Sequence, residues 1–231
     1  YYPGRGPIEA VSRDIELGAD DVAWRCNLIT VEDGVLTDFS ADHIDNEVSN
    51  ELICALEEEF GCGDLSFHPG VSYRNLLVTH GKKFSANVNY EKPDSSHGEK
   101  ISDLLLTPGD SSPEAARTAE YLNNLIMESE KFLKAHPLHK SGRSRATHIW
   151  PWSPGRKPKF TPFSEKYAGK TGAVICAVDV IKGIAKCAGM TVADVPGATG
   201  YIDTNYAGKV EAALEAAKSH DFVYLHVEAI D

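Results

Sequence analysis

Gly172-Ala-Val-Ile-Cys-Ala-Val-Asp-Val-Ile-Lys-Gly183 sets the fold class of this chain. Gly172 to Val178 reads as a strand without polar alternation, and Asp179 to Ala188 as a helix. Thr191 to Val195 follows as a second strand, Gly208 to Lys218 as an Ala-rich helix, and Phe222 to Val227 as a third strand. Apolar strands that alternate with helices in this way indicate a parallel, doubly wound sheet covered on both faces. Ligands of such sheets sit beyond the carboxyl ends of the strands. Asp179 and Lys182 lie at a strand-to-helix transition and project toward that edge, unless they are only helix-end residues. Asp231, just past the third strand, lies at the same edge.

Upstream the pattern changes. Pro7 to Leu17 has apolar positions at helical spacing, and Asp21 to Val31 alternates as a strand should. Asp33-Gly34 before Val35-Leu-Thr37 signals a hairpin. Asn46 to Phe60 is an amphipathic helix stopped by Gly61. Leu65 to His68 and Tyr73 to Thr79 read as strands separated by Pro69-Gly70, and residues 85 to 112 as loop or lid material. Ser112-Pro113-Glu114 opens the longest helix, with Ser as cap, Pro in the first turn and Glu at the positive end; Pro137 ends it. His136 to Lys170 reads as irregular. This part is α+β with hairpins, so two structural regions are expected.

The 231 residues suffice for one large or two small domains with an ample core. A net charge of −11 argues against general nucleic-acid binding, so any bound anion needs a local basic cluster. No apolar run approaches a membrane span. The five cysteines, Cys26, Cys54, Cys62, Cys176 and Cys187, have no CxxC spacing and read as thiols of a reducing, cytoplasmic compartment.

Few residues stand out as chemistry. Arg25, mid-strand in Val-Ala-Trp-Arg-Cys-Asn, either faces a cleft or pairs with Asp20 or Asp21; Arg74 poses the same question. His148-Ile-Trp-Pro-Trp-Ser-Pro-Gly-Arg-Lys-Pro-Lys159 places cations on a loop stiffened by Pro and Gly. It can offer Arg156 to a phosphate or carboxylate, or simply be a solvated basic loop. The turn-rich Gly197 to Tyr206 lacks phosphate-loop spacing, and neither HExxH nor GxSxG occurs.

Taken together, several stretches resemble the archaeal-type 2,3-bisphosphoglycerate-independent phosphoglycerate mutases of the alkaline phosphatase superfamily. They are Tyr2-Pro-Gly-Arg-Gly-Pro-Ile-Glu-Ala10, Asp21 to Leu28, Asp38-Phe-Ser-Ala-Asp-His-Ile44, Ser72-Tyr-Arg74, Gly155 to Pro158, Glu165-Lys-Tyr167, Gly172 to Gly183, Gly197 to Tyr206 and His226 to Ala229. They occur in the family's order. The resemblance implies an α/β fold with incomplete alkaline-phosphatase-like doubly wound sheet segments and an inserted α+β domain. It assigns residues 1–37 and 165–231 to the core and 38–164 to the insert. It implies interconversion of 3- and 2-phosphoglycerate through a phosphoserine, with two divalent metals, commonly manganese, in the full-length enzyme. Arg25, Arg74, Arg156 and Lys182 match positions expected to hold the phosphorylated small-molecule substrate, and Asp231 matches a metal ligand. The nucleophilic serine is expected upstream of Tyr1, so the chain is read as an internal piece that is inactive alone and binds no metal. Alternatives are a homoserine kinase or another phosphotransferase of the same family, or a stand-alone anion-binding module. One departure is notable: Asp42 stands where the family usually carries Gly.

Overall fold

The computed structural model describes residues 3–228, so Asp231 lies outside the described residues. In chain order the elements are α1 (Arg5–Ser12), β1 (Val22–Glu32), β2 (Val35–Asp38), α2 (Asn46–Phe60), β3 (Leu65–Val71), β4 (Arg74–Thr79) and β5 (Val88–Asn89). They continue with α3 (Ile101–Leu104), β6 (Thr107–Pro108), α4 (Pro113–Ala135), α5 (Pro137–Lys140), β7 (His148–Gly155) and α6 (Phe163–Lys166). Last come β8 (Gly172–Ile175), α7 (Asp179–Cys187), β9 (Thr191–Ala193), α8 (Tyr206–Ala216) and β10 (Phe222–Leu225). Two compact units result: residues 1–7 with 17–157, and residues 8–16 with 158–231.

The first unit is built on β1, an eleven-residue strand buried along nearly its whole length. It pairs antiparallel with β2, β4 and β7, and β3 flanks β4. One face carries the core: Trp24 and Leu28 of β1 and Leu77 of β4 pack with Leu52, Ile53 and Leu56 of α2. Leu122, Ile126 and Leu133 of α4 complete that core. Trp24 donates its indole N–H to Thr79 Oγ1 at 3.1 Å, which satisfies a polar group that burial would otherwise leave costly. The Ser112 side chain accepts from the Ala115 N–H at 3.2 Å and Pro113 takes the first turn of α4, as the sequence predicts.

Three expectations differ. Residues 1–37 do not stand apart as core, because β1 and β2 are knitted by long-range pairing into the unit that contains residues 38–157. Pro69-Gly70 does not separate two strands: β3 runs through it with a register shift between His68 and Val71. An edge strand tolerates Pro at such a bulge because the missing N–H points away from the ladder. The stretch beginning at His148 is strand, not loop; β7 pairs only with β1, so its edge position accommodates Pro151 and Pro154.

The second unit is the parallel sheet β10-β8-β9 with α7 and α8 as crossovers. β8 is buried at every position, whereas β10 leaves Phe222 46%, Tyr224 43% and Leu225 38% exposed. Gly183 lets α7 approach closely: a Cβ there would lie 2.0 Å from the Ile8 carbonyl oxygen. Arg13 anchors Asp179 in the first turn of α7, its Nη2 donating to Oδ2 at 2.9 Å.

Candidate functional site

Directly opposed residues of an antiparallel pair project from the same face of a sheet. Arg25 faces Leu76 on β4 and Trp152 on β7, while Asn27 faces Arg74 and Trp150. One face of the first unit therefore gathers Arg25, Asn27, Arg74 and two tryptophans. Arg25 is only 2% exposed, and its guanidinium carbon lies 5.7 Å from the Trp152 ring centre. Arg5 approaches the same ring at 5.6 Å. An indole quadrupole attracts cations most strongly where water is displaced, so a buried ring flanked by two guanidiniums concentrates positive potential. Trp152 is fixed in turn: its Nε1–H donates to Asn27 Oδ1 at 3.0 Å, and Asn27 Nδ2 donates to the Phe39 carbonyl at 3.0 Å. Arg74 stacks over Tyr73 at 5.3 Å.

Backbone strain collects around this face. Among the described residues eight non-glycines have positive φ, and five border the cluster: Ala41, Asp42, His43, Ser72 and Ser153. Three are consecutive, at 51°, 62° and 48°, where L-residues lose roughly 1–2 kcal/mol each. The Asp38 carboxylate holds that turn by accepting from the Ser40 N–H and Oγ–H at 2.7 Å and from the Asp42 N–H at 2.6 Å. Burial alone would raise the pKa of Asp38, but these bonds and the charge of His43 outweigh it and hold it below the usual carboxylate range. Sequence reasoning missed this turn. Its signal was Asp42 in a Gly slot, since φ near +60° is what Gly supplies freely.

Arg156 sits at the end of β7 and donates through Nη1 to the Asp20 carbonyl and through Nη2 to the Phe84 carbonyl, the latter at 2.9 Å. It ties two loops of the first unit together. Asp21 accepts from the Gly18 N–H at 2.9 Å and the Gly81 N–H at 3.2 Å, and lies 3.2 Å from His80.

The second unit presents a separate cluster at the carboxyl edge of its sheet. Cys176 follows β8, and burial pushes its thiol pKa up, while the charges of Lys182 and Lys209 oppose that shift. Lys209 on α8 is 1% exposed, and its Nζ donates to the Thr199 carbonyl at 3.3 Å. His226 continues from β10, its N–H bonded to the Ile175 carbonyl at 2.8 Å. Among the described residues no group of three or more His, Cys, Asp or Glu side chains is arranged to hold a metal ion. No described helix is long and apolar enough to cross a membrane.

The comparisons agree with one another. The model of the 2,3-bisphosphoglycerate-independent phosphoglycerate mutase family matches residues 1–139. A relative of that name from Methanosarcina barkeri is 46% identical over 235 residues, covering 100% of this chain and 56% of its own length. A probable mutase of the same kind from Geobacter sulfurreducens is 43% identical and is covered to 57%. Among solved structures, a cofactor-independent phosphoglycerate mutase from Thermoplasma acidophilum superposes with a TM-score of 0.61 at 33% identity, over 99% of this chain and 61% of that one. A Pyrococcus horikoshii protein superposes with a TM-score of 0.71 at 24% identity, over 98% of this chain and 52% of that one, and bears on the fold alone. The chain thus spans about half the length of the curated relatives it matches. With the family model covering more than half of its residues, the chain belongs to the 2,3-bisphosphoglycerate-independent phosphoglycerate mutase family.

Proposed function

We propose that this chain supplies the substrate-holding side of a phosphoglycerate mutase that interconverts 3- and 2-phosphoglycerate through a phosphoserine. The observation that carries this reading is the arginine face of the first unit, where Arg25 and Arg5 flank the buried Trp152 and Arg74 stands one register step away. A phosphoglycerate carries two oxyanions, and a guanidinium recognises each in a planar, bidentate manner. Trp152 orients Arg25, Asn27 orients Trp152, and Tyr73 supports Arg74. In this reading Arg25 and Arg74 grip the substrate anions, Arg156 fixes the loops beside them, and Lys182 offers a cation at the carboxyl edge of the second unit. Holding the substrate in one pose lowers the entropic part of a transfer barrier.

The described residues do not fit a divalent metal, so no step is routed through one. Asp231 remains the proposed metal ligand, outside the described residues. With Mn2+ supplied, the 231-residue chain alone is expected to show no mutase turnover, and measurable turnover would refute that division of labour.

Calorimetric titration with 3-phosphoglycerate tests the substrate reading. Arg25→Met keeps the buried stem but removes the charge, so affinity is expected to fall about tenfold or more. Unchanged affinity, or equal binding of homoserine, counts against the proposal.

A further inference from the structure

We propose that His43 is a substrate-contacting residue, and that the left-handed turn at residues 41–43 serves to hold its imidazole beside Arg74. The proposal rests on the reading that Arg74 meets the substrate anion, and it adds a residue that neither family motif nor sequence spacing assigns.

Three consecutive residues with β-carbons in the left-handed region, at 51°, 62° and 48°, form an unstable conformation that persists only when its surroundings impose it. Here the imposing groups are identifiable. Asp38 accepts three hydrogen bonds from Ser40 and Asp42, the His43 N–H donates to Ser40 Oγ at 3.1 Å, and Asn27 holds the Phe39 carbonyl. Asn27 is the same residue that orients Trp152 beneath Arg25, so the turn is built into the arginine face.

The result of that strain is the placement of one side chain. His43 is exposed, and its ring meets Tyr73 edge-on at 6.4 Å with an interplanar angle of 68°. Tyr73 also meets Phe39 at 5.6 Å and carries the Arg74 guanidinium 5.3 Å above its ring. Ser72, the residue before Tyr73, is itself left-handed at φ 55°, and its hydroxyl donates to the Ile44 carbonyl at 2.7 Å. The strained turn and the strained Ser72 are therefore stitched together around Tyr73. An imidazole N–H and a guanidinium set on one tyrosine can both donate to a single phosphoryl or carboxylate group. A structural role alone would not need an exposed histidine at a position where Gly would relieve the backbone.

Calorimetry on the whole 231-residue chain with 3-phosphoglycerate provides the test, alongside inorganic phosphate and glycerate. His43→Ala is expected to weaken 3-phosphoglycerate binding about ten- to hundredfold, the loss of one hydrogen bond to a charged group, with melting unchanged within about 2 °C. His43→Asn tolerates the left-handed backbone and keeps a donor, so it is expected to stay within about threefold of wild type. The smaller ligand whose affinity falls in His43→Ala identifies the oxyanion contacted. Wild-type affinity in His43→Ala overturns the proposal, as does an equal loss in His43→Asn, which would assign the effect to ring packing on Tyr73. Arg74→Met separates the two levels of argument. If it weakens binding and His43→Ala does not, only the role of His43 fails; if it leaves binding unchanged, the underlying reading of Arg74 fails and the proposal with it.

Discussion

Lowering the pH from 7.5 to 5.0 should destabilise this protein chiefly through one histidine. His148 on β7 is 1% exposed; its Nδ1 lies 2.9 Å from Thr147 Oγ1, and its Nε2 lies 3.7 Å from Glu130. Burial holds its pKa down to about 4, against an upward pull from Glu130 and a further push down from Lys134. The folded state thus resists a proton that the unfolded chain accepts near 6.5. The stability that this neutral imidazole confers is complete above the unfolded pKa and is lost as pH falls from about 6.5 toward about 4. The gap corresponds to about 3 kcal/mol when fully expressed, and to about 2 kcal/mol at pH 5. Urea unfolding followed by tryptophan fluorescence at the two pH values measures it. His148→Asn can keep the bond to Thr147 without titrating, so its loss over this interval should be smaller than wild type's by about 2 kcal/mol. Asp21 and Asp38, whose pKa values are lowered in the fold, lose their contributions only below the ordinary carboxylate range and leave this window clear. Equal losses in wild type and His148→Asn would refute the reasoning.

Two further outcomes can be checked in the second unit. Gly183→Ala drives a methyl group to 2.0 Å from the Ile8 carbonyl oxygen, so α7 must move; a loss of about 1–3 kcal/mol is expected in urea melts, and a change below about 0.5 kcal/mol would contradict the close approach. Lys209→Met keeps the buried stem while removing an ammonium near the positive end of α8 that makes one 3.3 Å bond. Thermal stability is expected to hold or to rise by about 1 kcal/mol, and a clear fall would show that the tether to Thr199 outweighs the desolvation of the charge.

The elements with unambiguous local chemistry were legible in the sequence. α2 begins and ends where Asn46 and Gly61 indicate, α4 opens on its Ser-Pro-Glu cap, and the apolar runs of β8 and β10 pair in parallel. Prolines misled where tertiary context overrides them, because Pro69 and Pro151 sit on edge strands that have no need of their amide. The unit boundary was hidden for a different reason. Arg25 meets Leu76 on one side and Trp152 on the other, and nothing in the local pattern of β1 encodes partners so distant. In the candidate site, Arg25 and Arg74 were identifiable as cations in strand contexts. The indole that orients Arg25 and the strained turn beside Arg74 exist only through long-range hydrogen bonds. Arg156 was legible as a cation but not as a brace, since carbonyl partners leave no trace in side-chain sequence.

The exposed face of β10 has a consequence for how this polypeptide behaves at high concentration. Phe222, Tyr224 and Leu225 place greasy surface on both sides of a strand that pairs only with β8, without proline, lysine or bulge to blunt it. Such an edge is a template for adding further backbone. Colloidal stability should therefore depend on occupying that margin: light scattering should grow with protein concentration, and Tyr224→Lys should suppress the growth while leaving the rest of the fold intact.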